Sequence, residues 1–271
     1  MTALERRTML LAALGLPLAP RAAAAEQPEH DTPPGEANTP GHDIPPYWIG
    51  HEQVAMLLYP GFTAMDLVGP QYYLAGLMWS KVHLVAKTDS PVTSDTDITI
   101  VPTATFDTCP ADLDILFTPG GASGTIDAMM DPATMAFMAD RGSRARWVTS
   151  VCTGSLILGK AGLLRGYRAT SHWCARSILP EFGAVPVDER VVVDRNRITG
   201  AGVTAGLDLG LRITAMLRDD EYARCMQLLS EYDPQPPFGA GSPEKAPHER
   251  ELLAGMLDGF AAQALAAAKA S

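Results

Sequence analysis

Trp147-Val148-Thr149-Ser150-Val151-Cys152-Thr153-Gly154-Ser155-Leu156-Ile157-Leu158-Gly159 sets a cysteine between a short apolar β run and an apolar helical run. Trp147 to Val151 has the β-branched and aromatic enrichment of a buried strand, and from Gly154 onward small and apolar residues alternate at helical spacing. Cys152 is therefore expected on a sharp strand-to-helix turn. There a thiol points past the sheet edge while the first free N–H groups of the helix aim at it, which favours thiolate over thiol. A cysteine taken alone is more often a small buried hydrophobe than a nucleophile. The turn reverses that order and makes Cys152 the candidate nucleophile.

Outward from this turn the punctuation is regular. Strands are expected at Val54 to Tyr59, Lys81 to Ala86, Leu113 to Thr118 and Trp147 to Val151, with a β excursion through Val92 to Val101 and a short strand near Arg168 to Thr170. A hairpin pairs Val191 to Asp194 with Arg197 to Gly200 across Arg195-Asn196. Helical patterns cover about Asp66 to Leu77, Pro132 to Arg141, Ala205 to Leu217, Glu221 to Ser230 and an Ala-rich stretch from about His248 to Lys269. Apolar strands alternating with helices specify an α/β fold, a doubly wound, mostly parallel sheet covered on both faces. Right-handed crossovers then put every strand's carboxyl end along one edge, where such sheets bind ligands.

That edge collects residues far apart in the chain. Asp66 follows the first strand and reads either as the N-cap of the next helix or, beside a thiolate, as a carboxyl group pressed to keep its proton and serve as general acid. Gly120-Gly121 reads as an ordinary turn, or as backbone that lets N–H groups approach a reacting centre and form an anion-stabilising pocket with the N–H of Thr153. The Thr153 hydroxyl is a helix-start group or a donor to a substrate heteroatom. His172, past the Arg168 strand, is a base for Cys152 in a triad reading and a satisfied histidine lining the pocket in the preferred one. Met129, Met130, Met135 and Met138 read as a packing face rather than a sulfur metal site.

Composition narrows the partners. A chain of 271 residues, 46% hydrophobic and 19% charged, buries a full core and suits one large domain with appendages. A formal net charge of -10 excludes nucleic acid and an anionic membrane surface, which both require clustered Lys and Arg. Cys109, Cys152, Cys174 and Cys225 are too widely spaced for a disulfide framework, and His30, His42 and His51 too loosely spaced for a metal site.

Residues 1 to 25 read as an export signal. Arg6-Arg7-Thr8-Met9-Leu10-Leu11 has the pattern of a twin-arginine signal, the apolar run to Ala19 is too short to span a bilayer, and Ala23-x-Ala25 offers a cleavage site. Cleavage there leaves 18 basic against 30 acidic residues, a net charge of -12. A periplasmic or secreted protein is expected, with no membrane attachment once the signal is removed. Residues 26 to 50 form a Pro-rich linker without apolar periodicity, expected to be disordered, and 51 to 271 a single domain ending in a helix.

Three stretches together resemble the ThiJ/PfpI superfamily: Tyr59-Pro-Gly-Phe-Thr-Ala-Met-Asp66-Leu-Val-Gly-Pro70, Asp114-Ile-Leu-Phe-Thr-Pro-Gly-Gly121, and Ser150-Val-Cys152-Thr-Gly-Ser155. The resemblance covers about residues 52 to 240 and implies a flavodoxin-like, class I glutamine amidotransferase-like fold. Asp66, the Cys152-Thr153 pair and the tail from Glu231 to Pro247 are similar to the isonitrile hydratase subgroup. Peptidase-like members have Cys-His and glyoxalase-like members a Glu after the first strand, and this chain follows neither.

The resemblance implies a small-molecule substrate, a homodimer, and addition of water to an isonitrile to give an N-substituted formamide, with neither metal nor organic cofactor. Cys152, Asp66 and Thr153 are then catalytic, and Gly120, Gly121, Thr153 and His172 bind substrate or the developing anion. Either Cys152 attacks the isonitrile carbon covalently, or Asp66 directs water without an intermediate. The competing functions are another cysteine-dependent reaction on a small electrophile, glyoxalase-like, and a non-catalytic ligand sensor. Related domains precede DNA-binding modules in regulators, but this chain has no room for a basic helix-turn-helix after the Ala-rich helix.

Overall fold

The computed structural model describes residues 44–270. The export signal, His30, His42 and most of the expected linker lie outside the described residues. The chain divides into two units, Met1–Tyr47 and Trp48–Ser271, and the second carries every element below. It begins inside the stretch read as linker. The Trp48 indole donates to Asp219 Oδ2 at 3.1 Å and meets the Tyr222 ring edge-on at 5.0 Å.

Near-continuous apolar runs make the central strands. Val54 to Leu57 are each 0% exposed, because a parallel strand covered on both faces has no solvent side to alternate toward. Val54, Met56 and Leu57 each contribute roughly 1.5–3 kcal/mol by burial. The main sheet runs β10 (Val191–Asp194), β11 (Arg197–Gly200), β7 (Trp147–Val151), β6 (Ile115–Thr118), β1 (Gln53–Leu57), β2 (Lys81–Ala86), β5 (Ala104–Thr105). Only β10 is antiparallel to its neighbour. The expected excursion is a separate pair, β3 (Val92–Thr93) with β4 (Thr99–Ile100).

The helices are α1 (Ala64–Gly76), α2 (Ser123–Met130), α3 (Pro132–Arg144), α4 (Gly154–Lys160), α5 (Ala205–Leu217), α6 (Asp220–Leu229) and α7 (Pro247–Lys269). Two expectations change. Helix α2 occupies a stretch whose Gly-Gly-Ala-Ser-Gly start reads as turn, so the four methionines fall on two helices rather than one face. The strand near Arg168 is β8 (Arg168–Ala169), which pairs with β9 (Val185–Pro186) outside the main sheet.

Strand order reverses between β1 and β6, since the chain builds outward through β2 and β5 on one side and through β6 and β7 on the other. The loops after β1, β6 and β7 therefore open at one carboxyl edge around a switch point. At the opposite, amino end of β1, Glu52 and Arg218 form a two-pronged ion pair at 2.6 and 2.8 Å. Burial alone would raise the Glu52 carboxyl, but the Arg218 guanidinium outweighs it and holds the group below its ordinary range.

Candidate active site

Cys152 directly follows β7 with φ +59°, in the left-handed region that costs a non-glycine residue roughly 1–2 kcal/mol. Surrounding hydrogen bonds impose it. The Cys152 N–H is held by the Gly200 and Ala201 carbonyls at 3.2 and 2.8 Å, and its carbonyl by the Ser155 and Ser171 hydroxyls at 3.3 and 3.0 Å. Strain maintained in this way is characteristic of functional positions.

The thiol itself is buried, at 7% exposure for the residue. Burial pushes it well above its ordinary value, the neighbouring Asp66 carboxylate pushes further, and the Thr153 N–H opposes both without prevailing. This corrects the thiolate expectation. Helix α4 is only about two turns long, and its N-terminal pull does not offset a dry site that already holds a carboxylate.

Asp66 lies in the first turn of α1, fully buried. The N-cap position is Thr63, whose hydroxyl donates instead to Asp95 Oδ2 at 2.6 Å, so the N-cap reading of Asp66 is also corrected. Its carboxylate turns away from its own helix. Oδ2 accepts the Gly120 N–H at 2.9 Å, while Oδ1 has no hydrogen-bond partner. Burial raises the group to about 7, against the Gly120 N–H and the Cys152 thiol, which both favour the carboxylate, and with Asp95 adding a further upward push. The thiol is near enough for each group to shift the other's proton affinity, yet Oδ1 makes no hydrogen bond of ordinary geometry. An unpartnered, half-protonated carboxyl oxygen beside a sulfur is suited to deliver a proton to whatever the sulfur attacks.

The glycines serve a different purpose from the expected anion pocket. The Gly120 N–H is committed to Asp66 and the Gly121 N–H to Thr153 Oγ1 at 3.0 Å. Neither donor is free for substrate. A Cβ on Gly120 would lie 2.6 Å from Thr153 N and 2.8 Å from Asp66 Oδ2, so only glycine permits this approach. The Thr153 hydroxyl, expected to face substrate, donates to the Gly121 carbonyl at 2.9 Å. The Thr153 N–H remains directed at the Cys152 sulfur.

His172 sits on the loop after β8, tied to the site by the Thr170 N–H on Thr199 Oγ1 at 2.9 Å and by the Ser171 bond to Cys152. Its Nδ1 lies 3.0 Å from Cys174 Sγ, and burial lowers its proton affinity. That partner is Cys174 rather than Cys152, the arrangement of a satisfied histidine beside the site. Among the described residues no cluster of three or more His, Cys, Asp or Glu side chains is placed to hold a metal ion. Two contributors escaped the sequence reading, Thr125 and Asp95. Thr125 sits on the unforeseen α2, and Asp95 in the β3–β4 turn, where only tertiary folding brings it to Thr63.

Residues 52–216 match the DJ-1/PfpI family. The chain is 49% identical over 195 residues to the isonitrile hydratase of Pseudomonas putida, covering 72% of this chain and 85% of that protein. It is 29% identical to a helix-turn-helix transcriptional regulator of Pseudomonas aeruginosa, covering 63% of this chain and 48% of the regulator. Among solved structures, a ThiJ/PfpI family protein from Pseudomonas syringae superposes with a TM-score of 0.83 at 56% identity, covering 86% of this chain and 99% of that one.

Proposed function

The chain belongs to the DJ-1/PfpI family, and on that premise we propose that it is a cysteine-dependent hydratase, adding water to an isonitrile to give an N-substituted formamide. The observation that carries this reading is Asp66, a buried carboxyl raised to about 7 with one oxygen unpartnered beside Cys152. The likeness to the Pseudomonas putida hydratase supports the substrate class.

An isonitrile carbon accepts a nucleophile and a proton at the same atom. Sulfur attacks it while the S–H proton passes through Asp66 to that carbon, so the elements of Cys152 S–H add to R–N≡C and leave the thioimidate R–N=CH–S. Asp66, having taken the S–H proton as a carboxylate and passed it to the carbon, is again an ionised base. It takes a proton from water, whose oxygen adds to the same carbon, and collapse breaks the C–S bond. The nitrogen and the departing sulfur each end with one proton, giving R–NH–CHO and the free thiol. The high thiol proton affinity suits this route, because Cys152 need not ionise before substrate arrives. The alternative has Asp66 direct water to the carbon without a covalent intermediate.

A non-catalytic sensor is the second reading, favoured by the likeness to about half of a transcriptional regulator. Assay of the purified protein against a panel of isonitriles and of dicarbonyls tests all three functions. Formamide production supports the hydratase, dicarbonyl turnover a glyoxalase-like enzyme, and saturable binding without product the sensor. We further propose a homodimer and export to the periplasm by the twin-arginine route. Among the described residues no helix is long and apolar enough to cross a membrane.

A further inference from the structure

Behind Cys152 and Asp66 runs a line of buried hydroxyls that the mechanism does not use. Tyr59 Oη donates to the Pro119 carbonyl at 2.9 Å and lies 3.2 Å from Thr125 Oγ1. Thr125 Oγ1 is 2.9 Å from Thr153 Oγ1, which donates to the Gly121 carbonyl at 2.9 Å and accepts the Gly121 N–H at 3.0 Å. Tyr59, Thr125 and Thr153 are all buried.

Proton counting orients the line. Three hydroxyls supply three protons for four oxygen–oxygen contacts, and both ends are carbonyls that can only accept. One contact must lack a proton. With Tyr59 committed to Pro119 and Thr153 to Gly121, the Thr125 proton goes to Thr153, the shorter of its two contacts, and the 3.2 Å contact is left without one. Thr153 Oγ1 then accepts from both Thr125 and the Gly121 N–H while donating to the Gly121 carbonyl, so its hydrogen-bonding capacity is filled.

The anchors are Pro119 on one side and Gly121 on the other, and between them is Gly120, whose N–H holds Asp66. We propose that Thr125 and Tyr59 are positioning residues that together clamp the loop on both sides of Gly120, Thr125 through Thr153 on Gly121 and Tyr59 on Pro119, and so aim Asp66 and the Thr153 N–H at the Cys152 sulfur. The proposal rests on reading Cys152 and Asp66 as the reactive pair. Loss of the Thr125 hydroxyl leaves Thr153 short of a donor in a buried site, and the loop gains freedom where a small misplacement costs rate.

The test compares Thr125→Val, Thr125→Ser and Tyr59→Phe with the parent, using the pH dependence of Cys152 alkylation by iodoacetamide, which needs no isonitrile turnover. The pair's first proton is lost in a step near 7. In Thr125→Val, a Gly120 N–H aimed less well at Asp66 moves that step up by about half a pH unit. On an isonitrile that the parent turns over, kcat falls about tenfold with KM little changed. Thr125→Ser restores both. A folded Thr125→Val with the parental alkylation profile overturns the proposal. If that variant does not fold, Tyr59→Phe decides, with an upward shift supporting the clamp and an unchanged profile refuting it. A parent inactive on every isonitrile refutes the hydratase reading and leaves the alkylation comparison decisive for the clamp.

Discussion

Asp66→Asn should make the protein more stable at pH 8 and nearly inactive. The folded carboxyl holds its proton to about 7, whereas its ordinary value, taken for the unfolded chain, is 3.8. Between these values the unfolded chain has already released the proton that the folded site still binds, so rising pH favours unfolding. The loss begins near 4, is complete just above 7, and at about 1.4 kcal/mol per pH unit reaches roughly 4 kcal/mol. Asn carries no such charge. Its carbonyl oxygen can accept the Gly120 N–H as Oδ2 does, while its amide occupies the unpartnered Oδ1 position at a cost of roughly 1–3 kcal/mol.

The expected outcome is a variant about 1–3 kcal/mol more stable than the parent at pH 8 and about 1–3 kcal/mol less stable at pH 4, since every other titrating group cancels between the two proteins. Urea unfolding at both pH values, repeated in a Cys152→Ala background to remove the coupled thiol, measures the difference. Formamide production should fall about a hundredfold or more. A stability difference that is the same at pH 4 and pH 8 would refute the claim that burial holds this proton. Turnover near the parent's would separately end the general-acid role.

Cys152→Ala should abolish turnover while keeping the unfolding free energy within about 1 kcal/mol, since it removes a single buried sulfur atom; retained formamide production would end the thiol mechanism. Gly120→Ala drives a Cβ between Thr153 and Asp66 and should cost at least about tenfold in kcat, read against circular dichroism to separate misplacement from unfolding. Glu52→Gln leaves Arg218, whose side chain is 2% exposed, without its counter-charge, at about 3–5 kcal/mol of stability with no change in kcat of the folded fraction. In the parent the part of this stabilisation that depends on the Glu52 charge is present above 4.5 and is lost as pH falls through the depressed Glu52 value, which acid titration of the two proteins checks. Replacing Arg6 and Arg7 by Lys should leave the protein in the cytoplasm with residues 1 to 25 uncleaved; unchanged recovery from the periplasm would refute the twin-arginine route.

Periodicity alone determined that Cys152 ends a buried strand and opens a helix, and that Asp66, Gly120, Gly121 and Cys152 share one sheet edge. Strand character and crossover handedness are local or nearly universal properties of the chain, so they can be read before folding. The proton states were not readable in this way. A helix N-terminus beside a cysteine reads as thiolate, but the outcome rests on how completely neighbouring elements exclude water from Cys152 and Asp66, and burial is a property of the packed whole. Donor bookkeeping likewise waited on the tertiary structure. Gly120 and Gly121 read equally as an ordinary turn or as free anion donors until the folded loops brought Asp66 to one and Thr153 to the other, and Thr125 gained a role only when α2 carried it against Thr153. The sequence determined which groups meet; distances of about 3 Å between segments distant in the chain decided which donors remain free and where the protons reside.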